Sequence, residues 1–293
     1  MLKRIIRSCC GNDIMRSLGQ SHNWVSESNE ILLEGDILNY NLGRLLGEGK
    51  FGRVYLGLNR VRHKYYAIKK SVKMNSLFSN ELKFLRKLYH RSLIKLEESF
   101  IYEGHHYLVL DYYKDGDMFT YIKKHHEFDE DNTRKIILNI LRPLLFLKQY
   151  KIAHLDIKPE NYLLRDIKSL DFVLTDFGTM REYKEYNIEY KLNSIVGTKI
   201  YAAPEILNKR YSSKSDIWSL GQIILILVSG KLIEYEENYT QLDIYDLIRG
   251  LKVDRNSYNL VRKCLTINSS NRISLEEIID DKWIEDYYLS VSR

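Results

Sequence analysis

Short alternating runs of apolar residues occupy the first part of the chain, and helical stripes occupy the rest. Tyr40 to Gly47, Gly52 to Asn59 and Tyr65 to Ser71 read as strands, broken by glycine or polar turn residues. Leu82, Leu85 and Leu88, with Phe84 beside them, predict a helix over 78–88 that packs on a sheet. Two further strands are expected near Leu93 to Tyr102 and Tyr107 to Asp111. After Gly116 the pattern becomes mainly helical. Ile136, Ile137, Ile140, Leu141, Leu144 and Leu145 form a wide apolar stripe in a helix over 132–149. The strongly apolar run from Ile217 to Val228 predicts a buried central helix. A last amphipathic helix is expected from Ser274 to Trp283, where Ser274 and Glu277 have the spacing of a capping box.

Strands first and helices afterwards predict an α+β chain in two lobes, a small β-rich one and a larger helical one. The expected limits are a polar extension over 1–38, a folded domain over 39–285 and a tail over 286–293. Within the domain, strands fill 39–110, the segment 111–117 joins the lobes, and helices dominate 118–285. No internal repeat or low-complexity block interrupts this order.

At 293 residues, with 44% hydrophobic and 29% charged side chains, the chain has the make-up of a soluble globular enzyme. Its net charge of +6 comes from 45 basic residues scattered among 39 acids, whereas a nucleic-acid-binding domain would cluster them. No nucleic-acid partner is therefore expected, and the oligomeric state is left open. Cys9, Cys10 and Cys264 make neither a disulfide framework nor a zinc-ligand pattern. That points to a reducing intracellular setting, cytoplasmic or nuclear. The most apolar run, Ile223 to Val228, is far too short to span a bilayer, so no transmembrane segment is expected. Met1 to Met15 is basic but lacks the apolar core of a signal peptide, and Leu2 breaks the N-myristoylation pattern. Cys9 and Cys10 beside Lys3, Arg4 and Arg7 leave two readings, an acylated anchor or a disordered arm.

Chemistry enters first at Leu46-Gly47-Glu48-Gly49-Lys50-Phe51-Gly52-Arg53-Val54, a G-x-G-x-x-G-x-V run between two strands. Glycines there let backbone amides approach phosphate oxygens where a Cβ would block them. An ordinary hairpin is the plainer alternative. A dinucleotide-binding fingerprint would need a helix next, but Arg53 to Leu58 continues as strand. Ala67-Ile68-Lys69 follows on the third strand, and period-two alternation puts Lys70 on the opposite face from Lys69.

His154-Leu155-Asp156-Ile157-Lys158-Pro159-Glu160-Asn161, followed by Asp176-Phe177-Gly178, gathers acids, a cation and a carboxamide. Asp156 is a candidate to orient an attacking hydroxyl and accept its proton. Lys158 would stabilise charge on a transferring phosphoryl group. Asn161 and Asp176 offer hard oxygen donors to magnesium. Any one of these residues is common in a surface turn, but the joint pattern is far more specific.

Together these motifs resemble eukaryotic protein kinases of the serine/threonine type, with a general likeness to the calcium/calmodulin-dependent and Aurora-like branches. The resemblance runs from about Tyr40 to Trp283 and includes Gly197-Thr198, Ala203-Pro204-Glu205 and Asp216-Ile217-Trp218-Ser219-Leu220-Gly221. It implies a bilobal protein kinase fold that uses ATP and magnesium to phosphorylate Ser and Thr hydroxyls of protein substrates. Lys69 would reach the nucleotide phosphates and pair with Glu81, and Thr198 would bond to Asp156 and Lys158. The segment from Leu46 to Gly52 would cover the phosphates, Val54, Ala67 and Leu163 would enclose adenine, and Leu110 would be the gatekeeper. Asp111 to Tyr113 would bind adenine through the hinge backbone, and Leu85, Leu96, His154 and Phe177 match the stack that links the lobes. Arg272 would pair with Glu205.

Asp117 and Glu160 match acids that recognise a basic residue upstream of the acceptor; a ribose contact for Asp117 and solvation for Glu160 are the alternatives. Leu155 departs from the family, which usually has arginine there to hold a phosphate at the position of Ser194. Without that guanidinium, activity is expected not to depend strongly on phosphorylation of the activation segment. The rival reading is an ATP-binding scaffold of pseudokinase type. A small-molecule kinase would not be expected to keep Gly197-Thr198 and Ala203-Pro204-Glu205 together.

Overall fold

The sheet begins at Tyr40, immediately after a single 3-10 turn at Ile37–Asn39. The structure is a computed structural model that describes residues 37–49, 52–72, 74–125, 128–251 and 253–291. The extension with Cys9 and Cys10, and Lys50 and Phe51 of the glycine-rich run, lie outside the described residues. Two compact units hold the described chain, one formed by 37–114 with 176–178 and the other by 115–175 with 179–291.

The first unit is built on five antiparallel strands, β1 (Tyr40–Gly49), β2 (Gly52–Asn59), β3 (Tyr65–Ser71), β4 (Leu96–Tyr102) and β5 (His105–Asp111). Their order in the sheet is β1-β2-β3-β5-β4. Strand β4 starts at Leu96, later than the apolar run from Leu93 suggests, because Leu93 N–H closes a turn onto His90 O at 3.0 Å. Strand β5 starts at His105, earlier than Tyr107. Tyr102 pairs with His105 across Glu103 and Gly104, whose φ values of 47° and 71° make the tight two-residue turn that suits strand twist. Tyr40, Tyr66, Ile68, Phe100, Tyr107 and Val109 form one core cluster of this unit. Helix α1 (Ser76–Lys87) buries Phe78, Leu82, Phe84 and Leu85, and with them the carboxylate residue Glu81. Asn75 caps it by accepting from Phe78 N–H at 2.8 Å and Leu77 N–H at 3.1 Å.

The second unit starts with helix α2 (Met118–His125) and the long helix α3 (Glu130–Gln149). The apolar stripe marks α3 from Asn132, but Asp129 accepts from Asn132 N–H at 2.7 Å and moves the start two residues earlier. Short pairs of strands follow, β6 (Ile152–Ala153), β7 (Tyr162–Asp166), β8 (Asp171–Leu174), β9 (Arg181–Glu182) and β10 (Tyr190–Lys191). Helix α4 (Pro204–Leu207) and strand β11 (Arg210–Tyr211) lead into helix α5 (Ser215–Ser229), which is buried on nearly every side. Gly230, at a φ of 68°, ends α5 in the left-handed conformation that glycine adopts without a Cβ penalty. Strands pair as β6 with β9, β7 with β8 and β10 with β11.

Helices α6 (Gln241–Arg249) and α7 (Arg255–Cys264) pack next to one another, and α7 also packs on α5. The single helix expected from Ser274 to Trp283 is instead two, α8 (Leu275–Ile279) and α9 (Lys282–Val291). The capping box at Ser274 and Glu277 forms. The break falls at Asp280 and Asp281, where Asp281 Oδ1 accepts from Trp283 N–H at 3.2 Å and starts the chain turning again. Aspartate competes with the helix backbone in this way, which an apolar periodicity does not register. Among the described residues, no helix is long and apolar enough to cross a membrane.

Candidate active site

In the first unit the glycine-rich run is the β1–β2 hairpin, in which Gly49 pairs with Gly52. Gly52 has a φ of 134°, and a Cβ there would lie 2.3 Å from the Lys70 carbonyl oxygen, so a side chain is excluded by backbone. Gly47 and Gly49 differ, because a Cβ at either would meet nothing within 4 Å among the described residues. Leu46 is half-buried, while Glu48 is exposed and pairs with Arg53 at 2.9 Å. Register sets the adjoining positions. Val54 lies opposite Lys69, and Ala67 lies between Leu56 and Leu110. Leu110 is buried, Asp111 accepts from Lys64 Nζ at 2.8 Å, and Tyr113 is half-buried.

Alternation separates the two lysines of β3. Lys69 is buried, while Lys70 lies over the Tyr107 ring. Lys69 Nζ donates to Glu81 Oε2 at 2.6 Å and lies 3.9 Å from Asp176 Oδ1. Burial opposes the charge on Lys69, but the carboxylates of Glu81 and Asp176 outweigh it and hold its pKa above the usual value. Burial also pushes the Glu81 carboxyl upward against the pull of Lys69. Asp176 has a φ of 64°, and Phe177 after it is fully buried.

The second unit assembles the other cluster around one carboxylate. Asp156 Oδ1 accepts from Thr198 N–H at 2.8 Å, and its Oδ2 accepts from Lys158 Nζ at 2.9 Å and Asn161 Nδ2 at 3.2 Å. Lys158 Nζ also donates to Thr198 Oγ1 at 2.6 Å, so one cation ties the acid to the hydroxyl. Asn161 Nδ2 donates in addition to the Asp156 carbonyl at 2.7 Å. Gly197 supports this closure. Its φ is 76°, and a Cβ there would come within 2.2 Å of the Leu155 carbonyl oxygen. Leu163 sits on β7 and bridges to Asp117.

Asp216 holds the same loop from beneath. Its Oδ2 accepts from His154 N–H at 2.7 Å and its Oδ1 from Leu155 N–H at 2.8 Å. Burial raises the Asp216 carboxyl above the usual carboxylate value, against the downward pull of His154 and these donors. His154 Nε2 faces the Thr175 carbonyl at 3.1 Å while its Nδ1 accepts from Asp156 N–H at 3.3 Å. A carbonyl only accepts, so these neighbours select the tautomer protonated at Nε2. The supporting role of Asp216 is not visible in the sequence, which marks the residue only as the start of the run from Asp216 to Gly221.

Two acids of the loop region fare differently. Asp117 Oδ1 accepts from Thr120 N–H at 2.7 Å and so caps α2. Glu160 Oε2 is buried with no hydrogen-bond partner among the described residues. Farther down, Arg272 grips Glu205 with two parallel bonds of 2.8 and 2.9 Å, and Ser215 Oγ donates to the same carboxylate at 2.8 Å. Among the described residues, no group of three or more His, Cys, Asp or Glu could hold a metal ion by itself.

A family model described as "Protein kinase domain" matches residues 40–284. The chain is 29% identical over 281 residues to Serine/threonine-protein kinase 33 of Mus musculus, covering 87% of this chain and 56% of that protein. It is 31% identical over 305 residues to Calcium-dependent protein kinase 4 of Plasmodium falciparum (isolate 3D7), covering 97% of this chain and 55% of that one. The chain spans little more than half the length of these relatives.

Proposed function

The chain belongs to the protein kinase family, and from that premise we propose a serine/threonine kinase that transfers the γ-phosphoryl group of ATP to protein hydroxyls. The observation that carries this reading is the Asp156 carboxylate, held by Thr198, Lys158 and Asn161. In the reaction, the acceptor hydroxyl oxygen forms a bond to the γ-phosphorus while the bond from that phosphorus to the β–γ bridging oxygen breaks. Asp156 orients the hydroxyl and takes its proton. Lys158 places positive charge beside the phosphoryl group, where it is worth more as water is excluded. Lys69, anchored by Glu81, is assigned to the nucleotide phosphates.

The residues present fit these substrates. The open space at Gly47 and Gly49 leaves room for phosphate oxygens at backbone amides. Asn161 commits Nδ2 to Asp156, so an ion it holds is held by its carboxamide oxygen, a hard donor like the carboxylate of Asp176. Magnesium bound through these two residues would neutralise charge on the phosphates. Adenine is assigned to Val54, Ala67, Leu163 and the backbone of 111–113, with 39–285 as the folded domain.

The half-buried acid Glu160 supports a preference for substrates with an upstream basic residue, whereas Asp117 has a capping role of its own. Leu155 supports activity that does not wait for a phosphate on Ser194. Few cysteines, with Cys264 free and buried, support an intracellular location, cytoplasmic or nuclear. Incubating the full chain with labelled ATP and peptide arrays tests the proposal. Transfer to Ser and Thr peptides, lost in Asp156→Asn, is expected. ATP binding without transfer would favour a scaffold, and transfer undiminished in Asp156→Asn would overturn the assignment of the acid.

A further inference from the structure

One side of helix α1 grips the turn that carries Asp176. Leu77, Asn80 and Glu81 are spaced three and four residues apart and so share a helix face. The Leu77 carbonyl oxygen would lie 3.3 Å from a Cβ on Gly178, so the turn packs against the helix backbone. Asn80 Nδ2 donates to the Gly178 carbonyl at 2.8 Å and reaches the Phe177 carbonyl at 3.4 Å. Glu81 acts on the same turn through Lys69, which stands between Glu81 and Asp176. The backbone so gripped is one that needs support. Asp176 has a φ of 64°, a left-handed conformation that an L-residue does not hold without cost.

We infer that Asn80 is a positioning residue whose carboxamide holds the 176–178 backbone in the conformation that presents the Asp176 carboxylate to a divalent cation. The cation rests on the phosphotransfer reading above, but the clamp does not. Two alternatives predict something else. Asparagine is a poorer helix former than alanine, so a residue that served only the helix would be improved by Asn80→Ala. A residue that served only general stability would weaken every substrate equally when replaced.

The test compares the full chain with Asn80→Ala, Asn80→Gln and, on the exposed side of α1, Ser79→Ala. In Asn80→Ala, the Mg2+ concentration for half-maximal phosphotransfer should rise roughly three- to tenfold, the range that one lost hydrogen bond supports. The KM for the acceptor peptide should stay put. Amide hydrogen exchange over 176–180, measured without metal or nucleotide, should quicken in the same variant. Asn80→Gln, which keeps the donors on a longer stem, should recover part of both effects, and Ser79→Ala should match wild type. Unchanged Mg2+ dependence and exchange in Asn80→Ala would overturn the inference. So would an equal rise in the requirements for Mg2+, ATP and peptide with a lowered Tm. If the wild type transfers no phosphate, the kinase reading fails by itself. The exchange measurement then decides, with quicker exchange supporting the clamp and unchanged exchange removing it.

Discussion

The backbone N–H of Leu155 donates to Asp216 Oδ1 at 2.8 Å, and this bond pins a leucine at a φ of 66° beside Asp156. The neighbouring carboxylate oxygen does the same for His154. One buried acid on α5 thus sets the path of the loop on which Asp156, Lys158 and Asn161 are displayed. Removing it leaves two buried N–H groups without partners and a left-handed leucine without restraint. Asp216→Ala should therefore lose about 2–4 kcal/mol in denaturant unfolding, by the cost of unmet buried donors. Asp216→Asn, which keeps one acceptor oxygen, should lose less. Equal stability of Asp216→Ala and wild type would show that the loop holds its own shape.

A leucine at this place also changes what a phosphate could do. Ser194 is exposed, and Leu155 offers it no cation. Arg181, the first cation after the Asp176 turn, donates to the carbonyls of Thr179 at 3.2 Å and Met180 at 2.7 Å. Ser194→Ala should keep kcat/KM within about twofold of wild type, since no bidentate phosphate partner is displaced. Loss of activity in this variant at an unchanged Tm would refute the idea.

Neutral bonds help to hold the segment, beside the Arg210–Glu189 pair at 3.4 Å. Tyr190 Oη accepts from Glu185 N–H at 2.7 Å and Lys184 N–H at 3.2 Å, and Tyr211 Oη donates to the Glu182 carbonyl at 2.7 Å. Two strand pairs, Ile152 with Glu182 and Tyr190 with Tyr211, tie down its course. Tyr190→Ala should then speed proteolytic cleavage within 183–200, because local opening costs less when few contacts resist it. Ser194→Ala should leave the cleavage rate alone. Equal cleavage of Tyr190→Ala and wild type would mean that the segment is held elsewhere.

These supports mark the limit of what the sequence discloses. Strands β1 to β3 and helices α1, α3 and α5 follow from local periodicity, because alternation and helical stripes are properties of neighbours. The motif residues are legible for the same reason, each cluster falling within a few positions of the chain. Asp216 meets His154 across 62 positions, and Asn80 meets Gly178 across 98. The run that Asp216 opens is legible as a resemblance, but its bonds to His154 and Leu155 are not, and nothing local distinguishes Asn80 from a solvated polar side chain. The break at Asp280 and Asp281 escaped for another reason, since side-chain competition for the backbone decided it rather than apolar spacing.

Acid should weaken the second unit through Glu205. Burial alone would raise this carboxyl, but Arg272 outweighs it and holds the pKa below the usual 4.5. A depressed folded-state pKa contributes stability that is fully present above about pH 4.5 and lost as the pH falls through the folded value. Glu205→Gln leaves the Arg272 guanidinium buried without its counter-charge, so a loss of about 3 kcal/mol is expected at pH 7. The gap between wild type and variant should close as unfolding is repeated at pH values below 4.5. Glu81 and Asp216 have raised pKa values and titrate with the opposite sign, so the difference between the two proteins is the quantity to read. A gap independent of pH would remove the ion pair as its source.

Thr198 contributes to the acid cluster in two ways that a single pair of variants separates. Its N–H bonds Asp156 whatever the side chain, while its hydroxyl accepts from Lys158 at 2.6 Å. Thr198→Val keeps the shape and the N–H but leaves the buried side of the lysine without that acceptor. Lys158 then has Asp156 as its remaining acceptor in this cluster and should lean toward it, away from the place that the proposed mechanism gives the phosphoryl group. A fall in kcat of roughly tenfold is expected, near what one hydrogen bond to a charged group supports. The KM for ATP should change little, because Lys69 and Glu81, the pair proposed for the nucleotide phosphates, are untouched. Thr198→Ser restores the hydroxyl and should restore most of the rate. If Thr198→Ser loses the rate while Thr198→Val keeps it, the methyl group rather than the hydroxyl is what the cluster uses.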